Sequence, residues 1–372
     1  MAKKLISVWL SLTILIFSSI SIYAGEVIQG DFFLKNIVIN GENIVNYKLS
    51  NPFLFHDNRV YVPMDTEVGR ILGFEADVDN ESRTLKILKT DIEQTDFSEV
   101  PVKNNLEDVQ VSVEYDYEIA AYTAAQNEDA CLTEEQANAA ASDKRRIFWG
   151  LESFGRINCD EIDLKGQPVL VRNEIVYVPL NAIVSCETLG WSSYYEANTG
   201  VYISTDDEID AASYFDVSEA NYYKGLVAYI LKKNPKLARS TAYEMVKYFE
   251  AYGQIYGMDL ELLMAQAECE STYRPTITNS HNCCGLMQIK VSTGKSYGFT
   301  KAQLLQVKPN IQMGAIYLGG NIETFKGDVV KALAGYNCGT YKVLEGNYST
   351  GYAKKVLSRK ADIESFAASY NG

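Results

Sequence analysis

Ala267-Glu268-Cys269-Glu270-Ser271 closes an apolar run that begins at Leu260, and the reading of that run decides the fold of the C-terminal part of the chain. Asp259 stands where a helix N-cap belongs, and Leu260 to Glu270 reads as one helix. Residues three, four and seven apart share a helix face, so Glu270 lies with Leu263, Gln266 and Ala267. Glu268 is two residues away, about 200° round the helix, so the two carboxylates cannot work as a pair. Glu268 is expected in solvent. Glu270 sits at the C-terminal end of an apolar helix, where both the macrodipole and burial disfavour its charge and raise its pKa. A carboxyl that keeps its proton towards neutral pH is what general acid catalysis needs. On the helix alone, an ordinary exposed end-of-helix Glu is the competing reading.

Outward from this stretch the pattern stays helical. Thr241-Ala242-Tyr243-Glu244 reads as a capping box, opening a helix that runs to about Tyr256 before Gly257. Further helices are expected at 301–306, 311–325 and 328–336, the last ended by Gly339. Residues 222–365 therefore read as one mainly α domain.

The N-terminal half has another period. Arg59-Val60-Tyr61-Val62-Pro63 alternates and is β-branched, Met64 to Leu72 has helical spacing, and Thr84-Leu85-Lys86-Ile87 alternates again. The same order returns at Ile175-Val176-Tyr177-Val178-Pro179, then a helical stretch, Gly190-Trp191 and Gly200-Val201-Tyr202-Ile203. The fold class expected is multidomain, with an N-terminal α+β domain (25–206) built from two strand–helix–strand repeats that share one core. Residues 95–145 interrupt it as an insertion, with a strand-like Val109 to Ile119 and a capping box at Thr133-Glu134-Glu135-Gln136. Residues 207–221 are the expected linker.

The net charge of −14 is uneven. Residues 1–212 hold 16 Lys/Arg and 35 Asp/Glu, and residues 213–372 hold 18 and 13. An acidic front argues against nucleic acid as the main partner, and a mildly basic back suits an anionic polymer. Unequal solubilising charge on two domains is the bland alternative. Lys3 and Lys4 precede an uncharged run from Leu5 to Tyr23, ending at Ala24, which reads as a signal peptide over residues 1–24. Left uncut, that run is long enough to span a bilayer. The chain is expected outside the cell membrane, secreted or cell-wall associated, or anchored if uncut.

Two resemblances follow from these motifs. The front pattern, Tyr-Val-Pro followed by a short helix, Leu-Gly or Gly-Trp and a second strand, resembles the N-terminal domain of copper amine oxidases, which is widespread in surface proteins of Gram-positive bacteria. It implies a non-catalytic surface module for binding or spacing at the wall, with other wall polymers or surface proteins as partners. It does not imply copper chemistry, since those sites use three histidines and this chain has only His56 and His281. In the back half, Glu270-Ser271, then Gly285-Leu286-Met287-Gln288, Asn310-Ile311 with Gly314-Ala315-Ile316-Tyr317-Leu318, Ala334-Gly335-Tyr336-Asn337 and Tyr352-Ala353-Lys354-Lys355-Val356-Leu357 follow in order. They resemble the catalytic domain of soluble lytic transglycosylases. That resemblance implies a lysozyme-like helical fold, peptidoglycan glycan strands as substrate and no cofactor. Carried over by position, Glu270 is the acid/base. Ser271 helps orient it, Met287 and Gln288 line the cleft, Tyr336 and Asn337 sit against Glu270 and the sugar, and Tyr352 is a later cleft tyrosine. For all but Glu270, plain packing is the alternative.

The reaction type can be argued separately. Most glycosidases use two carboxylates, roughly 5–9.5 Å apart. From Ser271 to Ile322 the chain has no Asp or Glu, and the next acids are Glu323 and Asp328. A single carboxylate suffices if the substrate's own C6 hydroxyl is the nucleophile, giving a 1,6-anhydro sugar. A hydrolytic muramidase is the runner-up, and an inactive wall-binding protein the reading from another class. Seven cysteines leave at least one thiol over. Cys269, Cys284 and Cys338 all approach the site, at positions where small residues such as Ala are common in the family. A disulfide stapling the cleft loops, free thiols, and a metal bound by His281 with Cys283 or Cys284 all remain open.

Overall fold

The computed structural model describes residues 26–93, 100–103, 109–124 and 157–371. The signal-peptide reading at 1–24, the capping box at Thr133 and Cys131 lie outside these residues. Two compact units emerge. One runs through residue 33 and resumes at 39–193 and 202–213. The other comprises 34–38, 194–201 and the chain from 214 onward.

The strands are β1 (Glu26–Phe32), β2 (Asn36–Ile39), β3 (Glu42–Ile44), β4 (Leu54–His56), β5 (Arg59–Pro63), β6 (Phe74–Asp79) and β7 (Thr84–Lys89). They continue with β8 (Val109–Glu114), β9 (Glu118–Ala124), β10 (Ile157–Glu161), β11 (Val169–Arg172), β12 (Ile175–Pro179), β13 (Ser192–Glu196) and β14 (Gly200–Ser204). Six of them close a barrel in the order β1-β4-β5-β12-β11-β8, and a four-stranded sheet runs β10-β9-β7-β6. A further sheet has the order β13-β14-β2-β3. The two Tyr-Val-Pro strands lie side by side, antiparallel, with Val62 opposite Val178 and Tyr61 opposite Pro179. Closure removes free strand edges, and the alternation of β8 turns Val109, Val111 and Val113 inward while Gln110 stays outside.

The barrel was not foreseen, and it changes the reading of the interruption. Val109 to Ile119 is not one strand. The chain breaks at Tyr115–Tyr117, where Asp116 has φ 66°. The first half, β8, is a barrel stave, and the second, β9, pairs parallel to β7, with Leu85 opposite Ile119. Part of the stretch read as an insertion is thus core. Short helices α1 (Thr66–Leu72) and α2 (Leu180–Ile183) follow β5 and β12, and Asp65 caps α1 by accepting from the Val68 amide at 2.8 Å.

The helical unit contains α3 (Val217–Lys233), α4 (Arg239–Tyr256), α5 (Leu260–Ser271), α6 (Val291–Ser296), α7 (Val307–Thr324), α8 (Val329–Cys338), α9 (Thr340–Leu344) and α10 (Gly351–Ala368). A two-stranded ribbon, β15 (Cys283–Cys284) and β16 (Ile289–Lys290), lies between α5 and α6. α3 starts inside the stretch read as linker, capped by Asp216. α4 begins at Arg239, two residues before the capping box read at Thr241, and has no side-chain cap. Gly257 and Gly339 end α4 and α8 as expected. The helix expected at 301–306 is a single 3-10 turn, Gln303–Leu305. Among the described residues no helix is long and apolar enough to cross a membrane.

Candidate active site

α5 carries the site at its C-terminal end. Asp259 holds the N-cap position without capping by its side chain, and its Oδ2 pairs with Lys360 of α10 at 3.1 Å. At the other end Thr272 and Tyr273 both enter the left-handed region, φ 53° each, and turn the chain away. Ser271 is buried and serves that turn. Its Oγ donates to the Ala267 carbonyl at 3.2 Å and accepts from the Arg274 amide at 3.1 Å. It orients the helix end and is not bonded to Glu270.

Glu270 is half-buried, and the Tyr352 hydroxyl of α10 donates to its Oε1 at 2.5 Å. Burial pushes the Glu270 carboxyl up from its ordinary range, against smaller opposing pulls from the Tyr352 hydroxyl and the Lys355 cation. Among the described residues, the groups acting on it are Tyr352 and Lys355, neither of them a carboxylate. Glu323 is exposed on α7, and Asp328 spends its Oδ1 on the Lys331 amide at 3.0 Å as the α8 cap.

Glu268 corrects an expectation. It faces away from Glu270, but it is not in solvent: it is 8% exposed. Tyr229 donates to its Oε2 at 2.9 Å, and Lys233 and Arg359 reach its Oε1 at 2.8 and 3.3 Å. Helical periodicity gives the direction of a side chain but not what the neighbouring helices bring to it.

The second wall is the turn Gly285-Leu286-Met287-Gln288. Gly285 has φ 78°, and a Cβ there would fall 2.2 Å from Asn310 Nδ2 and 2.3 Å from the Leu304 carbonyl oxygen, so only glycine fits. Asn310, fully buried, brackets the turn. Its Nδ2 donates to the carbonyls of Cys284 at 2.9 Å and Leu304 at 2.7 Å, and its Oδ1 accepts from the Met287 amide at 2.7 Å. Asn310 is a structural residue of the site to which its sequence motif assigns no role. The signal was there: a polar residue on the apolar face that also holds Ile311 and Gly314.

Met287 differs from the expectation of a cleft-lining side chain. The side chain is 0% exposed, packed over Gly314, where a Cβ would meet its sulfur at 2.1 Å. Met287 reaches the site through its carbonyl, which accepts from the Tyr336 hydroxyl at 2.9 Å. Gln288, at φ 49°, folds its Nε2 back onto the Gly285 carbonyl at 2.9 Å. Tyr336 stands edge-on to Tyr317, ring centroids 5.2 Å apart. Burial, then the Glu270 charge, pushes its hydroxyl well above the ordinary range. The same causes act on Tyr352. Asn337 is exposed at the end of α8. The structure thus brings Glu270, Tyr352 and Tyr336 together with the Met287 carbonyl, and leaves Ser271 and Gln288 as braces of the turns.

Of the three readings open for the cysteines near the site, the structure holds the free thiols: Cys269, Cys283, Cys284 and Cys338 are unpaired, as is Cys186. Cys284 is buried against the Thr278 hydroxyl, 3.5 Å away. Among the described residues no group of three or more His, Cys, Asp or Glu could hold a metal ion.

With this geometry in place, comparison with known proteins is informative. Residues 247–358 match the family model described as the Transglycosylase SLT domain. The C-terminal part of the chain is an SLT domain. A transglycosylase of Enterobacteria phage PRD1 is 34% identical over 102 residues, which is 27% of this chain and 37% of that protein. Among solved structures, the 70 kDa soluble lytic transglycosylase SLT70 from Escherichia coli aligns at 20% identity with a TM-score of 0.28, covering 41% of this chain and 28% of that one. Lytic transglycosylase Slt from Pseudomonas aeruginosa aligns at 17% with a TM-score of 0.30, covering 42% and 31%. The chain therefore spans well under half the length of these relatives. The SLT match runs from within α4 to within α10 and includes Glu270, Asn310, Tyr336 and Tyr352. The strand-rich front lies outside it.

Proposed function

We propose that the chain is an exported peptidoglycan lytic transglycosylase, cleaving the β-1,4 bond between N-acetylmuramic acid and N-acetylglucosamine with Glu270 as its single acid/base. The observation that carries the reading is Glu270 itself: a half-buried carboxyl with a raised pKa, one phenol on Oε1 and no carboxylate acting on it. Glu270 in its acid form protonates the glycosidic oxygen, and the C1–O bond breaks with that oxygen leaving as the N-acetylglucosamine 4-hydroxyl. The carboxylate so formed takes the proton of the muramic C6 hydroxyl as that oxygen bonds C1. The product is a 1,6-anhydro end, water is not consumed, and Glu270 regains its proton. The Tyr352 hydroxyl steadies the carboxylate between the two proton transfers, and the N-acetyl group offsets positive charge at C1. The two-carboxylate geometry of a hydrolase has no candidate between Ser271 and Ile322.

Export, to a secreted or wall-associated location, rests on Lys3, Lys4 and the uncharged run to Tyr23. For the front unit we propose two related copies forming a surface module that binds wall polymers or surface proteins. The antiparallel pairing of β5 with β12 supports that reading. Mass spectrometry of wall digested by the purified chain tests the mechanism. Anhydro-muramic ends are expected; reducing ends would make the enzyme a muramidase, and no cleavage would leave it a binding protein.

A further inference from the structure

The buried ion cluster at Glu268 has no part in the chemistry above, yet it grips the helix that supplies Tyr352. Tyr352, Lys355 and Arg359 are three and seven residues apart on α10 and share a face. That face meets both flanks of the α5 end: Arg359 pairs with Glu268 at 3.3 Å, and the Tyr352 hydroxyl bonds Glu270 at 2.5 Å. α3 completes the clamp, with Lys233 on Glu268 at 2.8 Å, Tyr229 at 2.9 Å, and the Lys233 cation 4.9 Å from the Tyr229 ring centre. A charge enclosed this far is costly unless its partners hold good geometry, so Glu268 tolerates little slippage of α10 along α5. A one-residue slip would move Tyr352 by about 1.5 Å along α10, enough to break a hydrogen bond.

We propose that Glu268 is a positioning residue for Glu270: its grip on Arg359 and Lys233 fixes the register of α10 on α5, and that register holds the Tyr352 hydroxyl on Oε1. The proposal rests on the reading of Glu270 as acid/base and adds a residue that never touches the glycan. Two other roles are conceivable for Glu268, and they differ in sign. The groups facing Glu270 are Tyr352 and Lys355 from α10, Tyr336 from α8, and its neighbour Cys269. Those facing Glu268 are Tyr229 and Lys233 from α3, Arg359 from α10, Tyr273 beyond α5, and Cys269. A hydrogen bond to the ionised form lowers a carboxyl pKa. If Glu268 positions Tyr352, its loss raises the titration midpoint of Glu270. If it acts only as a nearby negative charge, its loss lowers that midpoint, and a purely structural role leaves it unmoved.

The test is a carbon-13 NMR titration of the Glu270 side-chain carboxyl in the full chain, for the native protein, Glu268→Gln, Tyr352→Phe and the double variant. The expected result is a midpoint higher by roughly half a pH unit or more in each single variant. The double variant is expected to rise no further than Tyr352→Phe, because Glu268 acts through that phenol. An unmoved or lowered midpoint in Glu268→Gln, or additive rises in the double variant, overturns the proposal. Arg359→Gln cuts the α10 side alone, at a residue 38% exposed. It is expected to repeat the rise even where Glu268→Gln does not fold, with Arg359→Lys restoring the native midpoint; an unmoved midpoint in Arg359→Gln overturns it equally. The titration needs no substrate, so its outcome is separable from the reaction. A Glu270→Gln variant that still lyses wall would remove the acid/base assignment and leave the register result standing.

Discussion

The strand-built front unit and the helical unit use the same device, a buried asparagine, to opposite ends. In the front unit Asn46 donates to the carbonyls of Phe33 and Phe53 at 3.0 Å each and accepts from the Phe53 amide at 2.7 Å. In the helical unit Asn310 makes the same three bonds to Leu304, Cys284 and Met287. Each has both its amide nitrogen and its amide oxygen bonded, which a buried amide requires. In the same unit Phe53, Tyr61, Val62 and Tyr177 are fully buried. Tyr336, bonded to the Met287 carbonyl of Asn310's turn, faces Glu270, whose carboxyl is held by one phenol, whereas Glu268 on the other side of α5 is ringed by Tyr229, Lys233 and Arg359. A fully paired polar group holds shape, and a partly paired one keeps a proton available. The difference between the two sites is that the helical one sets a half-buried carboxyl, Glu270, near the turn its asparagine holds.

That comparison can be broken in four places. Glu270→Gln should cost wall lysis about a thousandfold or more, within the range for a lost acid/base, with an unchanged melting temperature; the check is turbidity loss of purified wall. Asn310→Ala and Asn46→Ala should each cost about 3 kcal/mol through orphaned backbone groups, measured by denaturant unfolding. They should differ in function: Asn310→Ala releases the Met287 turn and loses lysis even where folded, whereas folded Asn46→Ala lyses normally. Equal activity in the two would end the contrast.

Tyr352→Phe should slow lysis about tenfold and move the alkaline limb of the pH profile upward. The hydroxyl stabilises the Glu270 carboxylate, so without it the carboxyl holds its proton to higher pH. The smallest effect belongs to Tyr61, whose hydroxyl is pushed up to about 12, chiefly by burial. A folded pKa above the unfolded value near 10 leaves stability whole below pH 10 and withdraws it as pH rises to about 12. Tyr61→Phe should therefore change stability by less than about 1 kcal/mol at pH 7 and blunt alkaline unfolding of the front unit, followed by circular dichroism.

Much of this was legible in the residues. The strands 59–63 and 175–179 stand where alternation put them, and Gly257 and Gly339 end their helices. Local signals decide such features. Glu268 was misread because its partners come from α3 and α10, far away in sequence, and no local pattern announces them. The barrel stave β8 was misread for a related reason: its pairing with β1 and β11 is long-range, and the break at Asp116 was hidden by alternation on both sides. Thr241 lies inside α4 and Asp259 holds its cap position without a side-chain bond to the helix, so a good cap residue in the sequence does not by itself make a cap. Cysteines can be counted in a sequence but not paired, and the four near the site are free.

The acid-free stretch beyond Glu270 also acts at a distance. Between Ser271 and Ile322 stand Arg274, Lys290, Lys295, Lys301 and Lys308, with no anion among them. Such a one-signed segment draws an anionic strand from about a Debye length away, roughly 8 Å in physiological salt. Added salt therefore slows capture of dilute wall fragments while leaving the rate on saturating wall unchanged. On the proposed reading, the residues missing from that segment govern the encounter as the one carboxylate before it governs the bond.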